Sequence, residues 1–90
     1  MPFYVYIILS KKDFSYYKGY SENPLERLRQ HNNKESTYTS AKIPWELVYL
    51  EELPTKREAL IREKNIKKAT LERIAALINH PKNIAHRFLG

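Results

Sequence analysis

The stretch FYVYIIL at residues 3–9 constrains the fold more than any other part of the chain. It is aromatic and β-branched, which predicts a strand. Alternation places Phe3, Val5, Ile7 and Leu9 on one face and Tyr4, Tyr6 and Ile8 on the other. SKKDFS (10–15) reads as a turn, and YYKGY (16–20) as the returning strand of a hairpin. Asn23, Pro24 and Glu26 suit the N-cap, first and third positions of a helix over 23–32, with a capping box. The polar segment 33–44, closed by Pro44, reads as a loop, and WELVYLEE (45–52) as a third strand. Thr55 and Glu58 cap a second helix running to about Lys68. A third helix over 70–80 carries Leu71, Ile74, Ala75 and Ile78 at helical spacing, which predicts a core-facing stripe. The order β-β-α-β-α-α predicts an α+β domain over 1–80, a three-stranded sheet with three helices packed on it. Residues 81–90 form a tail expected to fold back on the sheet.

Charge narrows the function. Sixteen Lys and Arg against ten Asp and Glu give a net charge of +6. A domain this basic attracts polyanions, of which nucleic acid is the commonest. The absence of cysteine excludes disulfides, thiolate metal sites and a cysteine nucleophile. No apolar run approaches a membrane span, no segment joins a strong apolar face to a basic one, and the opening lacks the marks of a signal peptide. A cytoplasmic protein that does not engage membranes is the expectation.

Three groups of side chains invite chemistry. In the second helix Ala59, Leu60 and Ile66 define an apolar stripe, and Glu63 falls inside it. A carboxylate there loses hydration and needs a partner. That partner is either a basic side chain, Lys56 or Lys67, or a divalent cation of the kind held by one or two carboxylates plus water and phosphate. Arg27 and His31 share a helix face roughly opposite Leu25 and Leu28. They form either an exposed basic face or a phosphate clamp with a proton-transfer group one turn away. Tyr6 and Tyr17 lie on paired strands, as core residues or as reactive phenols. A phenol is a poor base unless neighbouring cations lower its pKa, and this chain is rich in cations.

The motifs VYI (5–7) and YKG (17–19), then LERLRQHN, YTSAKIPWELVYLEEL and REALIREKNIKK, come in an order and spacing similar to the GIY-YIG nuclease domain. The resemblance spans about residues 3 to 78 and is nearest to compact bacterial members of the YhbQ-like group. It implies the GIY-YIG fold, an α/β sandwich around a three-stranded antiparallel sheet. It also implies an endonuclease hydrolysing DNA with one Mg2+ or Mn2+, in repair or recombination, with RNA an open alternative. On this resemblance Tyr6 is the general base and Tyr17 orients water or touches the scissile phosphate. Arg27 stabilises phosphate charge, His31 supports or transfers protons, and Glu63 binds the metal. Lys18, Tyr38, Thr39 and Lys42 become possible nucleic-acid contacts. The chain departs from the family in two places: the first motif lacks its glycine, and Lys18 replaces the usual isoleucine. Gly19 is kept, as expected for a tight strand-to-loop passage. Two alternatives stand beside cleavage: a nucleic-acid-binding module, or a nuclease subunit that needs a protein partner.

Overall fold

A computed structural model describes residues 2–35 and 37–89. Met1, Ser36 of the expected loop and Gly90 of the expected tail lie outside them. The elements are β1 (Phe3–Ser10), β2 (Tyr16–Ser21), α1 (Pro24–Asn32), α2 (Thr37–Ser40), β3 (Trp45–Leu53), α3 (Lys56–Lys67), α4 (Leu71–Ile78) and α5 (His86–Leu89). The sheet is antiparallel with order β2-β1-β3, so the opening strand is central. Both of its faces are buried, as its doubly apolar pattern requires. Val5 and Ile7 join Tyr49, Ala59, Ile66, Ile74 and Leu77 in one core. Tyr6 and Ile8 join Trp45, Leu47, Leu50 and Ala85 in a second.

An irregularity in β3 decides what each face carries. Ile7 lies opposite Tyr49 but Ile8 opposite Leu47, which leaves Val48 as an extra residue. Regular alternation would put residues 45, 47 and 49 on one face. The bulge instead sends Trp45 and Leu47 to the Tyr6 side and Tyr49 to the α3 side.

The helix starts follow the local chemistry. Asn23, Thr55 and Thr70 accept hydrogen bonds from the amides of Glu26, Glu58 and Arg73. The expected reciprocal arm at α1 is not formed, because Glu26 pairs with Arg29 at 2.6 Å and the Asn23 amide bonds Ser21 Oγ. The 33–44 segment contains the short helix α2 within the expected loop. In α4 the structure buries Ile74 and Leu77, while Leu71 stays 73% exposed and Ala75 lies in solvent. Six of its eight residues are apolar, so periodicity admits several stripes and packing selects among them. Leu60 likewise stays exposed, whereas Ala59 and Ile66 are fully packed.

Asn83 ties the last segment down with four bonds. Its Oδ1 accepts from the Leu50 and Ala85 amides, and its Nδ2 donates to the Val48 and Ile78 carbonyls. No helix among the described residues is long and apolar enough to cross a membrane.

Candidate active site

Tyr6 stands opposite Gly19 and Ile8 opposite Tyr17, so both tyrosines share the face that α1 covers. The Tyr6 ring lies over Gly19. A Cβ on that glycine would sit 2.5 Å from Tyr6 Oη and 2.7 Å from Cζ. Gly19 is therefore required inside a regular strand for room, and not at a strand-to-loop passage as its motif suggested.

Below the Tyr6 hydroxyl is a chain of buried polar groups. Tyr6 Oη is 3.0 Å from His31 Nε2, and His31 Nδ1 is 2.9 Å from Thr39 Oγ1. His31 and Thr39 are both fully inaccessible. The reading of His31 as part of an exposed basic face is thereby overturned: α1 turns it inward, with Leu25 left in solvent. Thr39, expected as a possible nucleic-acid contact, is buried against His31 and does not reach the surface. Its own position is fixed by Trp45, whose Nε1 donates to the Thr39 carbonyl at 2.9 Å. Asn32 secures Trp45 in turn, accepting from its amide at 2.6 Å and donating to its carbonyl at 3.0 Å.

Donor strengths order this chain. A neutral imidazole has one N–H and one acceptor nitrogen. A phenol is a better donor than an alcohol, so Tyr6 O–H donates to Nε2 and Nδ1–H donates to Thr39. His31 is neutral because burial, and next the Arg27 charge, lower its pKa to about 4. The unfolded chain carries an imidazole near pKa 6.5. Between these values the unfolded state binds a proton that the folded state does not, so stability falls as pH drops through the window. The loss is expected to reach roughly 3 kcal/mol. Urea unfolding at about pH 7 and about pH 4.5 measures it, and His31→Gln should flatten the dependence.

Tyr6 behaves against expectation. Burial first, then the neighbouring Tyr17, push its pKa up to about 12, although Arg27 acts to lower it. The abundant cations of the chain do not prevail, because the phenol loses hydration to the core around it.

The other expected residues fall into two sets. Arg27 is half-buried beside Tyr6 and donates to Gln30 Oε1 at 2.8 Å. It lines an open cleft of about 420 Å³ with Asn23, Gln30 and Lys56. Tyr17 packs edge-on against His31 with ring centroids 4.9 Å apart, and its hydroxyl has no partner among the described residues. Glu63 is 15% exposed, 3.7 Å from Lys67, and close enough to Tyr6 for its charge to oppose ionisation of the phenol. Both readings of its partner thus stay open: Lys67 is near, at more than hydrogen-bond length.

The nucleic-acid candidates differ among themselves. Tyr38 is 63% exposed, 6.0 Å from the Tyr17 ring. Lys42 lies 5.6 Å above the Tyr38 ring while pairing with Asp13 at 3.1 Å, so much of its charge is already engaged. Lys18 is half-buried opposite Ile7, on the α3 side and away from Tyr17. Thr39, Trp45 and Asn32, the supports of this hydrogen-bonded chain, were missed in that role. Their partnership joins α1, α2 and β3 and leaves no periodic trace.

For a divalent cation, Glu63 is the suitably placed carboxylate. Among the described residues no group of three or more His, Asp or Glu side chains is arranged to hold one. The donor set fits an ion of the Mg2+ class, bound through one carboxylate with water and phosphate completing its shell.

The chain has known relatives. The GIY-YIG catalytic domain profile matches residues 2–75. The UPF0213 protein CPE1444 of Clostridium perfringens is 44% identical over 77 residues, 84% of this chain and 82% of its own. The UPF0213 protein YazA of Bacillus subtilis is 34% identical over 79 residues, 87% of this chain and 80% of its own. The solution structure of the UPF0213 protein BH0048 from Bacillus halodurans aligns with TM-score 0.59 and 29% identity, covering 98% of this chain and 94% of that one. With its central strand, its tyrosine pair and a profile match over most of its length, the chain belongs to the GIY-YIG catalytic domain family, alongside the small UPF0213 proteins.

Proposed function

We propose that this protein is a divalent-metal-dependent endonuclease that hydrolyses DNA phosphodiester bonds, acting in repair or recombination. The observation that carries the reading is the buried Tyr6–His31–Thr39 chain with Arg27 beside it. Tyr6 Oη gives its proton to His31 Nε2 and keeps lone pairs to accept one from water. As water attacks phosphorus, its proton passes to Tyr6 and the Tyr6 proton passes to His31. No free phenolate is needed, which matters for a phenol of pKa about 12. The imidazolium formed would be opposed by Arg27 in the empty protein. The charge of a bound phosphate offsets Arg27 and makes His31 a better acceptor. Arg27 stabilises negative charge growing on the phosphate oxygens, and Tyr17 presents its free hydroxyl to water or phosphate. Glu63 holds Mg2+ or Mn2+, which when bound neutralises charge on the phosphate and the leaving oxygen.

Nicking of supercoiled plasmid tests this reading. We expect activity with Mg2+ or Mn2+, none with EDTA, and a rate at least about tenfold lower for Arg27→Ala. Retained DNA binding without nicking under either metal would replace it by the binding-module reading. Activity restored only by cell extract would point to a required protein partner.

A further inference from the structure

We infer that a second cavity, at the other edge of the sheet, is a phosphate-binding site. The inference does not depend on the cleavage reading. The cavity measures about 410 Å³ and lies between β3, α3 and α4. The order β2-β1-β3 puts it across the sheet from the strand pair that carries Tyr6 and Tyr17. Tyr49 and Glu51 line it from β3, Arg62 from α3, Arg73 from α4, and His80 and Lys82 from the turn after α4.

The charge here is unbalanced. Three fixed cations, Arg62, Arg73 and Lys82, face the single carboxylate Glu51, leaving an excess of +2 from these four side chains. Glu51 is already committed: its Oε1 accepts from the Tyr49 hydroxyl and from Arg62 Nε at 3.0 Å. Tyr49 is only 1% exposed, so this pairing anchors one guanidinium fork on the core. Arg73 and Lys82 make no ion pair with any described residue. His80 adds a directed donor. Its Nδ1 accepts the Lys82 amide at 3.0 Å, which places the proton of the neutral ring on Nε2.

Two guanidinium forks, an ammonium and an imidazole N–H offer more donors than the two oxygens of a carboxylate can use. A phosphate, with three or four oxygens and greater charge, matches the set. The phosphate belongs either to a nucleic-acid backbone or to a free phosphate or nucleotide. In the first case a strand is held at the β3 edge as well as near Arg27.

Amide NMR titration of the intact chain decides between these outcomes. The probes are inorganic phosphate and, separately, a short DNA duplex, with sodium chloride at matched ionic strength as control. Saturable shifts at residues 73–82 are expected. Shifts with both probes or with phosphate alone assign a free-phosphate site, and shifts with the duplex alone assign a backbone site. Arg73→Gln combined with Lys82→Gln should weaken that binding about tenfold or more and, for the duplex, lower the salt slope by about one per lost phosphate contact. Both side chains are exposed, and unchanged resonances elsewhere verify the fold. Arg27→Ala should leave the shifts at 73–82 in place, which separates this cavity from the candidate active site. Absence of shifts with both probes, equal shifts with chloride, or unchanged binding by the double variant would overturn the assignment.

Discussion

In the Glu63→Ala protein, metal-dependent nicking is expected to fall on the order of a thousandfold while the domain stays folded. Charge neutralisation by a bound metal contributes several kcal/mol to a phosphoryl transition state, and each 1.4 or so of these is a decade in rate. On the proposed reading Glu63 holds such an ion near Tyr6. Its loss costs the fold little, because it removes a poorly solvated charge from an apolar stripe and alanine favours the helix. The ion pair with Lys67, at 3.7 Å and with a half-exposed partner, contributes little. Thermal unfolding and nicking rates measured on one preparation separate the two effects. A variant that cleaves like the wild type would remove Glu63 from the metal site.

Tyr6→Phe is expected to lower the cleavage rate by about 10²–10⁴, the usual range for a positioned proton-transfer group. The ring packs in the second core and phenylalanine keeps that packing. The missing hydroxyl leaves His31 Nε2 as a buried acceptor without a donor, at a cost of about 1–3 kcal/mol. The substitution should therefore slow chemistry far more than it weakens the fold. Undiminished nicking by this variant would exclude Tyr6 as the group that receives the water proton.

Local physics made much of the architecture legible. The aromatic and β-branched pattern of residues 3–9 marked a strand, and Asn23 and Thr55 marked helix starts that form as their chemistry requires. The family resemblance singled out Tyr6, Tyr17, Arg27, His31 and Glu63, where spacing alone left each of them open. Hidden were the features that arise only when distant segments meet. His31 reads as a surface histidine until Thr39 and Trp45 close over it. The inward turn of Leu77 in place of Leu71 is set by the surface that α4 meets, and the bulge at Val48 sets which β3 side chains reach either core. The pKa of Tyr6 depends on a balance of burial against charge that a count of lysines does not reveal.

The Tyr6 ring over Gly19 gives the second motif's glycine a meaning apart from backbone flexibility. Gly19 sits within an ordinary strand, and what it supplies is a missing methyl group. The phenol of one strand is seated in a notch cut from its neighbour, so its position is set by subtraction. The two motifs are thus halves of a single mould: Lys18, next to the notch in the strand, points to the other face and leaves it intact, whereas a side chain on Gly19 would fill it. Among chains of this kind, drift at the second glycine would report a loss of the phenol's seat before it reported a loss of the fold.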